Sequence, residues 1–154
     1  MWVTDKKFKK PTLLTEGFKQ QEQYIWGKVE LVSWTAYDGT PLEGLLNRPD
    51  NFDPAKKYPM IVNFYERNSH NLHNFRHPEP NRSTIDYCMY LSNGYIIFNP
   101  DVRYEGGYPG KNCYDCVGSG IDKLLERGYI DSTRLGAQGH SWGGYQVAYL
   151  ATRT

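Results

Sequence analysis

The sequence lacks three features that would each have placed the protein in a particular class. It has no apolar run near the ~20 residues that a membrane-spanning helix needs, and residues 1–6 lack the long apolar region of a signal peptide. Its 18 basic and 17 acidic residues give a formal net charge of +1, whereas nucleic-acid binding calls for clustered positive charge. We therefore expect neither a membrane nor a nucleic acid as a partner, and the compartment stays open.

Cysteine is also scarce. The three cysteines, Cys88, Cys113 and Cys116, are an odd number and give no disulfide framework. Cys113 and Cys116 could suggest a redox or metal pair, but no second pair accompanies them. Both fit the apolar face of a predicted helix, where buried cysteine is common. We interpret them as packing residues.

Most of the histidine lies in one polar segment, residues 68–82, which contains His70, His73 and His77. Their spacing could suggest a metal site, but no nearby cysteine or aspartate completes a ligand set. We interpret the segment as a solvated loop, and we expect neither a metal nor a cofactor.

Short apolar strands alternate with helical patterns along most of the chain. Asp38 and Gly39 form a turn signal between the first two strands, because both residues tolerate positive φ. The later strands are nearly continuous apolar runs, which are typical of strands buried on both faces of a sheet. This order predicts an α/β fold: a mostly parallel sheet with an N-terminal antiparallel hairpin and helices on both faces. The predicted strands are residues 29–34, 42–46, 60–65, 95–98 and 135–137, and the predicted helices are residues 83–93, residues 113–125 and the segment after Ser141.

One of these helices has recognisable end signals. Ser83 and Asp86 resemble a capping box, and Asn93-Gly94 is a typical helix stop. We therefore expect this helix to run from Ser83 to Asn93.

The segment Gly139-His140-Ser141-Trp142-Gly143 has the G-x-S-x-G pattern of a nucleophile elbow. In such an elbow a sharp strand-to-helix turn lifts a serine hydroxyl into a catalytic pocket. The glycines let the backbone turn tightly, and Gly144 would let the following helix pack closely. A strand is predicted before Ser141 and a helix after it, so we interpret Ser141 as a candidate nucleophile. The alternative is an incidental serine in a glycine-rich turn.

A serine hydroxyl needs a base to accept its proton, normally a histidine held by a carboxylate. In this kind of elbow the acid and then the histidine follow the serine along the chain, and few residues follow Ser141 here. His140 adjoins the serine, but we expect it to pack beside the strand. We therefore expect the acid and the base to lie outside this sequence, and the strand that leads to Ser141 to form an edge of the sheet.

From Gly139 to Tyr145, the sequence Gly-His-Ser-Trp-Gly-Gly-Tyr resembles the elbow of the prolyl oligopeptidase (S9) family of serine peptidases. The likeness covers about residues 24–154. It implies that residues 24–154 are an incomplete α/β-hydrolase catalytic domain, and that residues 1–23 are a linker or the tail of a preceding β-propeller. Further stretches that resemble the family, in the same order, are residues 34–44, 52–59 and 128–136.

The resemblance also implies roles for individual residues. Ser141 is similar to the family's nucleophile, the backbone N–H of Trp142 to one oxyanion donor, and the hydroxyl of Tyr65 to a second donor. Residues 66–68 depart from the small, glycine-rich residues that commonly follow that tyrosine. Arg103 resembles a family arginine that we interpret as organising its loop.

These observations predict a serine-type peptidase that hydrolyses peptide bonds through an acyl-enzyme on Ser141, with a peptide as its partner. The 154-residue chain alone is expected to be inactive, because the acid and the base are missing. Two alternatives stay open: an esterase or other acyl hydrolase of the same fold, and a non-catalytic α/β binding domain. The oligomeric state is open as well.

Overall fold

The computed structural model describes residues 1–16, 19, 25–76, 78–79, 81 and 83–153. They form a five-stranded mixed sheet and a separate two-stranded ribbon near the N-terminus. None of the helices in these residues is long and apolar enough to cross a membrane. The strands are β1 (Trp2–Val3), β2 (Thr12–Leu13), β3 (Gly27–Thr35), β4 (Pro41–Pro49), β5 (Tyr58–Asn63), β6 (Ile96–Pro100) and β7 (Ile130–Gln138), the helices are α1 (Tyr87–Ser92), α2 (Pro109–Leu125) and α3 (Trp142–Leu150), and a 3-10 turn spans Ser69–Asn71.

The main sheet has the strand order β3-β4-β6-β5-β7. β3 and β4 form an antiparallel hairpin, in which Trp34 lies opposite Leu42, and β4 also pairs antiparallel with β6. β5 runs parallel to both β6 and β7. The predicted N-terminal hairpin and the parallel later strands are therefore confirmed. Within the described residues, β7 lies at an edge of the sheet, as expected for the strand that leads to Ser141.

The hairpin turn uses the chemistry of Asp38 and Gly39. Gly39 has φ of +88°, a conformation that glycine adopts without steric cost. The Asp38 carboxylate accepts a hydrogen bond from the N–H of Thr40 at 2.9 Å, the local contact that makes aspartate common in turns. These contacts help to fix the register of β3 on β4.

The larger core lies on the face of the sheet that α2 and α3 cover. The Trp34 indole N–H lies between the carbonyl oxygen of Cys116 and the hydroxyl of Ser119, at 3.1 Å from each. Cys113 and Cys116 are buried free thiols in this core, which confirms their interpretation as packing residues. Burial raises the pKa of the Cys113 thiol to about 12, so it stays protonated at neutral pH.

Helix α1 covers the opposite face and packs against Ile97, so the prediction of helices on both faces is confirmed. The predicted start at Ser83 was wrong. Asp86 is itself the N-cap, and its carboxylate accepts a hydrogen bond from the N–H of Met89 at 3.0 Å. The N–H groups of Ser83 and Thr84 instead donate to the Asn81 side chain, at 2.8 and 3.1 Å, which holds them in a turn. The stop at Gly94 is confirmed by its φ of +77°.

The N-terminal residues form a small unit of their own. β1 and β2 pair antiparallel, with Trp2 opposite Leu13, and both strands are exposed. Most of the polar run at residues 19–23 lies outside the described residues. The assignment of residues 1–23 to a linker or a propeller tail therefore stays a prediction.

Candidate active site

The candidate site is built around the turn between β7 and α3. β7 ends at Gln138, α3 begins at Trp142, and Ser141 lies between them with φ +54° and ψ −112°. Positive φ is uncommon for a residue with a Cβ; in the described residues only Phe8 and Lys10 share it with Ser141 outside glycine. Such strained conformations cost about 1–3 kcal/mol and cluster at functional sites. The predicted strand, sharp turn and helix are all present.

The glycines of the elbow are required by close packing. A Cβ atom on Gly139 would lie 2.3 Å from the carbonyl carbon of Gly143, and one on Gly143 would lie 2.6 Å from the carbonyl oxygen of Phe64. Neither distance is possible without moving backbone atoms. A Cβ on Gly144 would lie 3.4 Å from the oxygen of Gly139, an ordinary van der Waals distance, so the packing does not require glycine at this position.

The helix start presents backbone N–H groups next to Ser141. The N–H of Gly143 donates to the oxygen of His140 at 2.9 Å, and the N–H of Tyr145 donates to the oxygen of Ser141 at 3.1 Å. Trp142 is the first residue of α3, where an N–H has no acceptor within the helix. The helix dipole adds partial positive charge at this end. The N–H of Trp142 is thus suited to stabilise an oxyanion.

The Ser141 side chain is exposed and does not cap α3. Among the described residues, neither a histidine nor a carboxylate forms a hydrogen bond with its hydroxyl. His140 is exposed, so the expectation that it packs beside the strand was wrong. It lines a cavity of about 260 Å³ together with Phe64 and Tyr65.

Tyr65 follows β5 and borders the same cavity, with its side chain 48% exposed. Its carbonyl oxygen accepts hydrogen bonds from the hydroxyl of Tyr104, at 2.7 Å, and from the amide of Gln146, at 3.3 Å. The Gln146 amide also bonds the Tyr104 hydroxyl. The backbone of Tyr65 is therefore held by α3 and by the loop after β6, while its phenol is left at the cavity.

Tyr104 and Gln146 were not predicted from the sequence. Gln146 is fully buried on α3, and a polar residue on the buried face of a helix is the one signal that could have indicated it. Burial raises the pKa of Tyr104 to about 12, so its hydroxyl is protonated at neutral pH and donates to Tyr65. The Tyr104 ring also meets the Trp142 ring edge-on, with centroids 5.9 Å apart.

The unusual residues after Tyr65 form an ordered turn. The Asp101 carboxylate, which follows β6, accepts hydrogen bonds from the N–H groups of Asn68 and Ser69 at 2.5 and 2.8 Å and from the Ser69 hydroxyl at 2.6 Å. The N–H of Val102 donates to the oxygen of Glu66 at 2.9 Å. These bonds fix the segment that the resemblance had marked as a departure.

The two arginines close to this turn in the sequence border a cavity other than the one at the elbow. Arg67 and Arg103 line a different cavity of about 340 Å³, together with Glu43 and Asp101. The Arg103 side chain makes no hydrogen bond with the described residues, so the loop-organising role expected of it belongs to Asp101. Neither arginine borders the cavity at the elbow.

The histidine segment shows no metal site in the part of the chain that the structure describes. No group of three His, Cys, Asp or Glu side chains there is placed to hold a metal ion. His70 precedes Asn71 in the 3-10 turn, and His77 lies outside the described residues.

Residues 86–154 match the sequence profile of the prolyl oligopeptidase family. This part of the chain is thus similar in sequence to the prolyl oligopeptidase family. The match includes the elbow, α2 and α3, and it ends with the last residue of the sequence. The resemblance noted from Gly139 to Tyr145 is thereby confirmed.

Curated proteins similar to this chain are named as peptidases. Dipeptidyl-aminopeptidase B of Aspergillus niger is 28% identical over 132 residues, which are 77% of this chain and 14% of the relative. Dipeptidyl-peptidase 5 of Porphyromonas gingivalis is 28% identical over 122 residues, which are 67% of this chain and 16% of the relative. The chain thus spans about a seventh of the length of these relatives.

Solved structures give the same fold. One is a Bacteroides ovatus protein that is assigned provisionally as a dipeptidyl aminopeptidase IV. It superposes with a TM-score of 0.66 at 28% identity, and the match covers 98% of this chain and 23% of the Bacteroides chain. The acylaminoacyl peptidase of Pyrococcus horikoshii has a TM-score of 0.65 at 20% identity over 99% of this chain and 25% of its own. The second likeness concerns the fold alone. The predicted α/β-hydrolase fold is confirmed.

Proposed function

We propose that Ser141 is the nucleophile of a serine peptidase of the prolyl oligopeptidase type. The observation that supports it most directly is the backbone of Ser141, at φ +54° and ψ −112° between β7 and α3. A residue with a Cβ is held there only by the surrounding contacts, and strain of this kind is typical of nucleophile elbows. The family of residues 86–154 supports peptides as the substrates.

In the proposed reaction the Ser141 hydroxyl oxygen attacks the carbonyl carbon of a peptide bond. Its proton passes to a base and then to the leaving amine, and water later hydrolyses the ester on Ser141. The oxyanion would accept hydrogen bonds from the N–H of Trp142 and the hydroxyl of Tyr65. The described residues offer Ser141 no base, so we propose that the base and its acid belong to polypeptide other than residues 1–154. The chain alone would then be inactive.

Covalent labelling of Ser141 tests this proposal. The protein made from the complete reading frame should react with a fluorophosphonate probe, and Ser141→Ala should abolish the labelling. Failure of the unaltered protein to label would favour a non-catalytic binding domain. Turnover by the 154-residue chain that is abolished by Ser141→Ala would contradict the predicted inactivity.

The role of Tyr65 has its own test. Losing one oxyanion donor typically lowers kcat by ~10²–10³-fold, so Tyr65→Phe should do so while KM changes little. Tyr108→Phe is the matched control, because that tyrosine is exposed and does not border the elbow cavity. Comparing aminoacyl-proline amides with short acyl esters in the same assay separates a peptidase from an esterase of the same fold.

A further inference from the structure

Arg76 lies in the segment between β5 and α1 and is fixed at two points. Its guanidinium carbon lies 4.0 Å from the centroid of the Tyr87 ring, within the range of a cation–π contact. Its carbonyl oxygen accepts a weak hydrogen bond from the Cys88 thiol at 3.7 Å. Tyr87 is itself buried, and its hydroxyl accepts hydrogen bonds from the side chains of Asn63 and Asn99, at 3.2 and 2.8 Å. The guanidinium therefore rests on a rigid platform.

Arg76 borders the cavity of about 260 Å³ that Tyr65 and His140 also line. Ser141 is the next residue after His140, and Tyr65 follows Phe64, whose carbonyl oxygen contacts the elbow at Gly143. The cavity thus extends from the candidate oxyanion donor Tyr65, and from His140 beside the candidate nucleophile, to Arg76. Its volume suits one side chain or one chain end of a peptide rather than several residues.

Arg76 forms no ion pair with a carboxylate of the described residues. None of those that line the elbow cavity is acidic. Glu79 and Asp86 share a second, smaller cavity of about 140 Å³ with Arg76, but neither forms an ion pair with it at 4.0 Å or less. The Asp86 carboxylate is engaged in capping α1. A half-buried guanidinium that lacks an ion-pair partner and borders a candidate substrate cavity is suited to bind an anionic group of a substrate.

We propose that Arg76 binds a carboxylate of the peptide substrate close to the bond that is cleaved, an inference that rests on Ser141 being the nucleophile. A guanidinium offers a carboxylate two parallel hydrogen bonds, which makes such pairs both strong and directional. Because Tyr87 already holds the group in place, little side-chain freedom is lost on binding. The carboxylate can come from an acidic side chain or from the free C-terminus of a short peptide.

The test is a comparison of matched substrates with the protein from the complete reading frame. One pair differs only by Glu or Gln next to the scissile bond, and a second pair differs only by a free or an amidated C-terminus. Hydrogen bonds to a charged group predict that one carboxylate substrate has a kcat/KM about 10- to 100-fold above its neutral counterpart. Arg76→Gln should reduce that ratio to about one, and Arg76→Lys should leave it in between. The pair that responds identifies the source of the carboxylate.

Arg48→Gln is the control for loss of an arginine that stacks on a ring. Arg48 lies over Phe52, with its guanidinium carbon 4.7 Å from the ring centroid, and does not border the elbow cavity. Its substrate ratios should equal those of the unaltered protein. Fluorophosphonate labelling of each variant shows whether Ser141 is intact. If labelling is retained and the kcat/KM ratios of Arg76→Gln equal those of the unaltered protein, the role of Arg76 alone is overturned. The same holds if the unaltered protein is labelled but shows no preference for a carboxylate substrate. Absence of labelling in the unaltered protein would overturn both proposals.

Discussion

The carbonyl oxygen of Phe64 lies against Gly143, so close that a Cβ atom on the glycine would be 2.6 Å away. The contact joins the end of β5 to the first turn of α3. Tyr65, the candidate oxyanion donor, directly follows Phe64, and Ser141 lies two residues before Gly143. This packing contact between backbones therefore links the position of the candidate nucleophile to that of the candidate donor.

Gly143→Ala should disturb the positions of both Ser141 and Tyr65. The added methyl group cannot fit without a shift of backbone, and overpacking of this kind typically costs about 1–3 kcal/mol. We expect the free energy of unfolding, measured with urea, to fall by that amount and fluorophosphonate labelling to slow. Gly106→Ala is the control, because a Cβ there meets nothing within 4 Å. Equal stability of the two variants would show that the contact tolerates a methyl group.

Tyr104→Phe removes the hydroxyl that donates to the carbonyl oxygen of Tyr65. The Gln146 amide then keeps only its longer contact to that oxygen. We expect the unfolding free energy to fall by about 1 kcal/mol, the net contribution of one such hydrogen bond. The altered position of Tyr65 should lower kcat more than it changes KM. An equal effect on both constants would indicate general loss of structure instead.

The same tyrosine predicts a dependence on alkaline pH. Burial raises its pKa in the folded protein to about 12, from the usual 10.0, so the folded state disfavours the phenolate. Its contribution to stability is complete below pH 10 and is lost as the pH rises from about 10 to 12. Tyr104→Phe should therefore lose less stability across this interval than the unaltered protein. Parallel urea titrations at pH 9 and pH 11.5 measure the difference, and identical losses would contradict the assigned pKa.

The sequence allowed the elbow to be predicted in detail because its geometry is encoded locally. Only glycine fits at positions 139 and 143, and both lie within two residues of Ser141. The hairpin was predictable for the same reason, since Asp38 and Gly39 carry the turn by themselves. The start of α1 was not, because Asp86 could serve either as the third residue of a helix or as its cap. The hydrogen bond that the Asp86 carboxylate accepts from the N–H of Met89 shows that Asp86 is the cap.

Contacts between distant parts of the chain could not be predicted from the sequence. Tyr104 lies 39 residues from Tyr65, and Gln146 lies 81 residues from it. No periodicity relates residues so far apart, and pairing of this kind appears only when β5, β6 and α3 come together. β7 was also longer than predicted, Ile130–Gln138 instead of residues 135–137. The residues from Asp131 to Arg134 are polar, and a strand at a sheet edge need not show an apolar run.

Those polar residues of β7 give a prediction at acid pH. Hydrogen bonds from the Thr133 hydroxyl, at 2.7 Å, and from the Arg134 guanidinium, at 2.6 Å, lower the pKa of Asp131 to about 2 from the usual 3.8. The contribution of this carboxylate to stability is present above pH 3.8 and is lost as the pH falls through about 2. The stability difference between the unaltered protein and Asp131→Asn should therefore shrink from pH 5 to pH 2.

The pKa of Asp131 can be measured directly by following its carboxyl carbon by NMR. Thr133→Val removes the hydroxyl that contributes most to the shift and should move the pKa back toward 3.8, while Arg134 still lowers it. An unchanged pKa in Thr133→Val would contradict the assigned cause. A stability difference that does not vary between pH 5 and pH 2 would contradict the assigned shift.

The strain at Ser141 predicts a conflict between stability and function. At φ +54° and ψ −112° the Cβ of any other residue meets the same steric penalty, whereas glycine does not. Relief of strain of about 1–3 kcal/mol exceeds the ~0.5–1 kcal/mol of extra chain entropy that glycine loses on folding. Ser141→Gly should therefore raise the free energy of unfolding by about 1 kcal/mol while abolishing fluorophosphonate labelling. Ser141→Ala keeps the Cβ and should abolish labelling with little gain in stability. If the alanine and glycine variants unfold at the same urea concentration, the backbone at this position carries no strain, and the main support for Ser141 as the nucleophile is lost.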